Sequence, residues 1–268
     1  MTRLSRVRRA LLLAAAATLG TGSGAALAQA GTAAAAWGFE LTPYLWAASM
    51  KGNVQIPQLP ALRVDVGFGD ILDHLDAGFM GSFEARKGSW GLLVDSIYMK
   101  LGDGGSASRT GPGPIGAAAS ASANLEVKET MLGAGAAYRF SGGATTLDAV
   151  GGLRAMKIEA DVRADASLFA QSGSLTASGS KGWIDPYVGL RVRQPLGDRW
   201  MLVGYADVGG FGVGSDFTWQ ALLGADYEFS KTFVGKAGYR YIAVDYDKGG
   251  FVYDMGNTGL YFGLGVRW

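Results

Sequence analysis

His74 is the only histidine in this 268-residue chain, and it lies between Asp73 and Asp76. An imidazole beside a carboxylate is two thirds of a Ser-His-acid site, with the acid orienting the base. Here the pair sits on a short amphipathic stretch, which is the usual setting of a surface histidine, so no catalytic residue is assigned. The chain has no cysteine, which excludes disulfides and thiolate metal sites. One histidine without cysteine also excludes an imidazole-rich zinc centre. No metal site and no cofactor are expected. The glycine run Gly209, Gly210, Gly212 and Gly214 has the composition of a phosphate loop. A phosphate loop joins a strand to a helix, whereas this run ends one strand pattern and leads into another, so it reads as a bend.

The ionisable residues carry more information. Glu40, Glu84, Arg86, Asp95, Glu129, Arg139, Asp148, Arg154, Asp185, Arg191, Arg193, Asp207, Asp226, Glu228, Lys236 and Arg240 all fall on the less apolar face of segments that alternate with period two. Ten such segments are counted: 37–48, 77–86, 90–101, 125–140, 145–162, 182–193, 200–211, 217–229, 233–245 and 260–268. In the last, Leu260, Phe262, Leu264, Val266 and Trp268 alternate with Tyr261, Gly263, Gly265 and Arg267. Stretches of roughly ten residues with one greasy and one polar face are the signature of a membrane barrel. A charge facing lipid would cost about 2–4 kcal/mol near the midplane, so the register that turns these residues into a lumen is preferred. Both signs are present, which favours ion pairs filling a small barrel over a wide conducting pore. Glu84, Asp95, Arg139, Arg154, Asp185, Arg191, Asp207, Asp226, Lys236 and Arg240 are the candidate lumen residues.

Connections alternate in length. Short links fall at 87–89, 141–144, 197–198 and 230–231; long ones at 49–76, 102–124, 164–181 and 246–257, with 212–216 short where a long one is due. Short periplasmic turns and long exterior loops require an even strand count. Ten satisfies this; eight and twelve also do, because 48–77 is ambiguous. Pro43 removes a ladder donor from the first strand and belongs at a bulge or a weakly paired site. Trp90, Phe140, Trp200, Phe229, Phe233 and Trp268 all sit at strand ends beside the short turns, as one interfacial girdle does. Two segments break the pattern. Residues 70–76 (DILDHLD) read as a short helix in the first long loop, placed to plug the barrel or cap its mouth. Residues 102–123, rich in Gly, Ser and Ala, read as a mobile exterior loop.

The chain begins with Arg3, Arg6, Arg8 and Arg9, an uncharged apolar run, and small residues around Ala28 and Ala30. This is the pattern of a secretory signal over 1–30, leaving 31–268 as one barrel domain. The run is shorter than the roughly 20 residues of a spanning helix. Glycine is 43 of 268 residues, about twice the usual share. Net charge is +1, so no broad field favours nucleic acid.

The stretches WGFELTPYLW (37–46), VDVGFGDILDHL (64–75), GSFEARKGSWGLLVDSIY (81–98), WIDPYVGLR (183–191) and GYRYIAVDY (238–246) resemble a broad, mostly uncharacterised family of Gram-negative outer-membrane β-barrel proteins, opacity-protein-like. The aromatic end at Trp268 resembles the tag read by the barrel-assembly machinery. The resemblance implies an all-β, closed antiparallel transmembrane barrel in the outer membrane, in contact with its lipids, and carries over no catalytic residues. The expected function is a non-enzymatic structural envelope protein or a narrow pore for small solutes. Surface binding through exterior loops is the alternative, and a lipid-modifying barrel enzyme is a third reading.

Overall fold

Period-two patterning leaves each strand one apolar face, and a closed ring is the arrangement that pairs every backbone group while turning those faces out to lipid. The computed structural model, which describes residues 36–55, 61–110, 118–168 and 171–268, forms that ring. The strands are β1 (Gly38–Gln55), β2 (Leu62–Val66), β3 (Leu75–Lys87), β4 (Trp90–Thr110), β5 (Ala118–Gly142), β6 (Thr146–Leu168), β7 (Gln171–Leu196), β8 (Trp200–Gly209), β9 (Phe217–Glu228), β10 (Phe233–Lys248) and β11 (Phe251–Arg267). Each pairs antiparallel with its neighbours, and β11 returns to β1 from Glu40↔Arg267 up to Gln55↔Val252. Ten strands make the cylinder. β2 pairs only with the upper half of β1, Met50–Val54, on the edge that β3 leaves free. The proposed signal, 1–30, lies outside the described residues.

The edge of β1 that faces away from β11 is divided between β3 and β2. β1 pairs with β3 from Gly38↔Arg86 to Pro43↔Gly81, and the ladder stops there. Pro43 itself shares the parity of Phe39, whose backbone bonds toward Trp268, so its missing N–H faces β11, and there the β1–β11 register passes over Thr42 and Pro43. Above it the Trp46 N–H turns to the Met80 thioether sulfur at 3.3 Å.

The outer face carries a continuous apolar belt. Leu45, Leu92, Leu153, Leu190, Leu223 and Phe262 are all exposed in it. An apolar surface of that extent on a protein that buries charges inside is a lipid-facing surface. On β8 it runs from Trp200 to Val208, which spans about 20 Å along the barrel axis at ~3.3 Å per residue and a tilt of about 40°. The six girdle aromatics are exposed at one end of this belt. Trp90 packs on Tyr138 at 4.9 Å, Trp200 on Tyr227 at 4.7 Å, and Trp268 on Phe39 at 5.7 Å. Above the belt the same outer face becomes polar at Lys100, Lys128 and Lys157.

The far end corrects the expected loops. Residues 102–110 and 118–126 continue β4 and β5 in register, Gly102↔Glu126 through Thr110↔Ala118, so most of the stretch expected to be a mobile loop is ladder. Residues 164–168 and 171–175 likewise extend β6 and β7, and 246–257 is the top of β10 and β11. Gly249 and Gly250 join those two at φ +65° and +80°. That is the two-residue turn with both positions left-handed, which glycine alone accommodates freely. The link expected at 212–216 is present as the loop 210–216 between β8 and β9, two residues longer because β8 ends at Gly209. The helix is also displaced. α1 spans Phe68–Asp73, not 70–76, because the Asp70 carboxylate accepts the Gly67 N–H at 3.1 Å and fixes the start two residues earlier. Leu75 and Asp76 already belong to β3. α1 packs beside the upper part of β1, with Ile71 buried and Leu72 exposed.

The barrel lumen as the candidate functional site

Inward side chains fill the lumen in three layers. The layer nearest the short turns is ionic. Glu84 on β3 accepts a two-pronged pair from Arg191 Nη1 and Nη2 at 2.8 and 3.0 Å, one bond from Arg193 Nη2 at 2.9 Å and one from Arg86 Nε at 3.0 Å. Asp148 on β6 accepts from Arg86 Nη2, Arg139 Nε and Arg191 Nη2 at 2.9, 2.9 and 2.8 Å. Arg139 and Asp148 are direct neighbours on β5 and β6, whereas Glu84 and Arg191 reach each other across the lumen. Beside them Lys236 pairs with Glu40 at 2.5 Å and lies 3.6 Å from Asp226, while Arg267 bridges Glu40 and Glu228. Arg191 and Asp148 are buried. Charges so placed persist only when hydrogen-bonded to partners of opposite sign.

The middle layer mixes charge with phenol. Arg240 donates to Asp95 at 2.5 Å, to the Tyr44 hydroxyl at 2.9 Å and to Gln220 Oε1 at 2.8 Å. Tyr44 in turn donates to Asp95 at 2.7 Å. Arg240 also lies over the Trp46 ring, 5.3 Å from its centre. On the facing wall Arg154 and the Tyr205 hydroxyl each donate to Asp207 at 2.7 Å, and Arg154 stacks on Tyr187. Between the two groups lies a polar cavity of about 190 Å³, reached by Tyr44, Asp95, Arg154, Tyr205, Lys236 and Arg240. It has room for about six waters at ~30 Å³ each.

The third layer, above the belt, is apolar. Trp46, Met99, Met131, Met156, Trp183, Tyr246, Tyr253 and Met255 are buried against one another on the inward face. Trp183 stacks on Tyr246 with ring centres 4.3 Å apart. Methionine fills such irregular space because its chain is unbranched and polarisable. These side chains come from β1, β4, β5, β6, β7, β10 and β11 and meet in the lumen above the cavity. One carboxyl, Glu129 on β5, is buried in this plug.

Asp185 sits at the edge of the plug and is fully buried. It accepts from the Trp183 indole at 3.1 Å and from Ser215 through both N–H and hydroxyl at 2.5 and 2.7 Å. The 210–216 loop is thereby tied to β7, and Lys248 ties it to β10 by donating to the Gly212 and Val213 carbonyls. Gly214 fits only because it lacks a side chain: a Cβ there would lie 2.5 Å from Asp185 Oδ1. The glycine run is therefore a built latch closing the wall between β7 and β10.

His74 lies apart from all of this. It follows α1 at the exterior end, its Nδ1 2.7 Å from the Asp70 carbonyl oxygen, beside an open groove of about 420 Å³. The groove is lined by Asp65, Asp70, Ile71, Leu101 and Val127, with no hydroxyl or thiol nucleophile among its lining residues. Among the described residues no cluster of acids and histidine has metal-binding geometry. Two features escaped the sequence pattern. The Asp185–Ser215 contact joins residues from a strand and a loop. The methionines of the plug, Met99, Met131 and Met255, do lie on the inward parity of their strands, and that parity was the available signal.

No family model matches the chain, and no curated protein matches it in sequence. Among solved structures it is similar to the outer-membrane protease OmpT of Escherichia coli (10% identity, 87% of this chain and 96% of that one, TM-score 0.52). It also matches the translocator domain of the autotransporter NalP of Neisseria meningitidis (20% identity, 86% and 88%, TM-score 0.39) and the attachment invasion locus protein Ail of Yersinia pestis (15% identity, 87% and 98%, TM-score 0.34). The first of these likenesses supports the architecture and nothing about activity. The closed ring, the lipid-facing belt and the inward charges make this chain a ten-stranded β-barrel of the outer membrane.

Proposed function

We propose that this protein is a non-enzymatic structural barrel of the outer membrane whose lumen is shut by its own side chains. The observation that carries the reading is the layering: an ion-paired base, a small cavity and, above it, a cluster of buried apolar side chains packed against one another. Apolar constrictions resist wetting and block ions even where they are not sterically sealed. In this reading residues 1–30 direct export, Trp268 and its strand are read by the assembly machinery, and the belt and girdle bind outer-membrane lipids. The test is planar-bilayer recording of the refolded protein at pH 5. No discrete current steps are expected, and steady conductance there would overturn the closed-lumen reading in favour of an open pore.

One observation favours a second reading, surface binding. β4 to β7 run 21 to 26 residues, far beyond the belt, while β8 and β9 have 10 and 12. The tall wall offers a polar exterior surface. Deleting 106–122 joins Gly105 to its ladder partner Ala123 and shortens that wall without touching the belt. The shortened barrel is expected to fold. Loss of whole-cell adherence to matrix or host surfaces would support binding, and unchanged adherence removes it.

A further inference from the structure

The wall of the barrel has a gap between β1 and β3. Their ladder ends at Pro43↔Gly81, whereas β1 stays paired with β11 up to Gln55 and β3 stays paired with β4 up to Leu75. β2 joins the free edge of β1 only from Met50 upward. Residues 44–49 of β1 and 75–80 of β3 therefore border a gap about 15 Å tall, at ~3.3 Å per residue and a tilt of about 40°. Gly78 marks it: its ladder partner is the buried, inward Met99, yet Gly78 is exposed. The bond that crosses the gap runs from the Trp46 N–H to the Met80 sulfur at 3.3 Å, a weak acceptor on a flexible side chain.

The gap starts inside the apolar belt. On its β1 side Leu45 and Ala47 are level with Phe262 and Leu260, both exposed. On its β3 side Phe79, also exposed, is level with Tyr98, and Ala77 is level with Lys100, where the outer face turns polar. Behind it stand Trp46, Ile97 and Met99 of the plug, with Met80 and Leu75 packed against them. At its top Leu75 pairs with Leu101, which lines the groove of about 420 Å³ together with Ile71 and Val127. That volume falls within the roughly 300–1,000 Å³ of small-molecule sites.

The edges of the gap are polar. The Phe39 backbone bonds to Trp268, so the even-numbered residues of β1 turn their N–H and C=O groups to β3. Glu40 faces Glu84 and Thr42 faces Ser82 in that ladder, so Met80 and Gly78 present their backbone groups to the gap, where among the described residues no strand stands opposite. Backbone groups at membrane depth need hydrogen-bond partners.

We infer that the gap holds one ester-linked acyl chain of a lipid from the exterior leaflet. Its ester carbonyl accepts from the backbone N–H groups on the edge, and its chain passes inward over Leu75 into the groove beside α1. Continuity fixes the source. The gap opens onto the lipid-facing belt, and below Pro43 the wall is laddered, so chains of the periplasmic leaflet do not reach it. Asp70 on the groove repels the carboxylate of a free fatty acid, which an ester-linked chain lacks. The site goes beyond a structural role and is independent of whether the lumen conducts.

The probe is phosphatidylcholine with a photoreactive diazirine at the middle of one acyl chain, in vesicles holding the refolded barrel. After irradiation, adducts are located by peptide mass spectrometry. Inward Leu75, Leu101 and Val127 are expected to carry adducts beside outward Leu45 and Phe79. Gly78→Phe fills the gap. A Cβ there meets Leu75 side-chain carbons at 3.6 and 3.7 Å and the Tyr98 carbonyl oxygen at 3.7 Å, all ordinary contacts. The variant is expected to lose the inward adducts and keep the outward ones, with heat-modifiable gel migration verifying its fold. Adducts confined to outward residues in the unaltered protein overturn the site, whatever the variant does. Inward adducts that persist in folded Gly78→Phe overturn the route through the gap. A diazirine fatty acid in unlabelled vesicles is the third arm: inward labelling by it and not by the phospholipid overturns the ester-linked occupant. Bilayer conductance moves none of these readouts, so this site and the closed lumen fail separately.

Discussion

Arg191→Leu lowers the stability of the folded barrel by about 3–5 kcal/mol, the usual cost of removing one partner from a buried charge cluster. The size follows from what Arg191 holds. Its guanidinium spans Glu84 from one side and Asp148 from the other. Without it, Arg86, Arg139 and Arg193 still touch these acids, but each supplies only one or two bonds. Arg191→Lys is not a rescue, because an ammonium cannot make the planar double contact. The comparison is Lys157→Ala, which breaks an exposed pair with Glu159 and costs at most about 1 kcal/mol. Urea unfolding in detergent, followed by heat-modifiable migration, measures all three. If Arg191→Leu falls within the range of Lys157→Ala, the ionic layer does not hold the barrel together.

The second large effect lies on the opposite face. Leu190 is half-exposed at the middle of the belt on β7. Leu190→Arg puts a cation at the bilayer midplane and costs about 2–4 kcal/mol. Ser178→Arg keeps the same strand and the same outward parity but sits above the belt. It changes stability by no more than about 0.5 kcal/mol, as surface substitutions do. Folding yield into lipid vesicles and the urea midpoint of the folded fraction read the contrast. Equal effects at the two positions would mean that the apolar band does not lie in lipid.

The ring and the sorting of faces were legible because period two is a local property. Glu84, Arg86 and Ser82 share a parity opposite Phe79 and Phe83, and no distant residue is needed to see it. The partner of each charge was not legible. Which arginine meets Glu84 depends on the shear of the cylinder, which brings β3 and β7 face to face although 107 residues separate Glu84 from Arg191. Strand ends were misread for a different reason. In 102–110 and 118–124 the alternation is between serine, alanine and glycine, which offers too little contrast in hydropathy to mark a face. The ladder continues there because each strand has a neighbour to pair with, a tertiary effect that overrides weak propensity. Gly249 and Gly250 did carry a local signal, the glycine pair of a tight hairpin, flanked by alternating residues on both sides. The helix start was also local, three residues from Gly67 to Asp70, and too short for periodicity to register.

The short ladder between β1 and β3 has a mechanical consequence. The first and last strands of the ring meet along a long zipper between β1 and β11, interrupted only where the register passes over Thr42 and Pro43, yet β1 holds β3 through only six residue pairs. The weakest seam of the cylinder is therefore not the one where the sequence begins and finishes, but the one beside it. A barrel strained from outside parts first between β1 and β3, with the closing zipper still fastened.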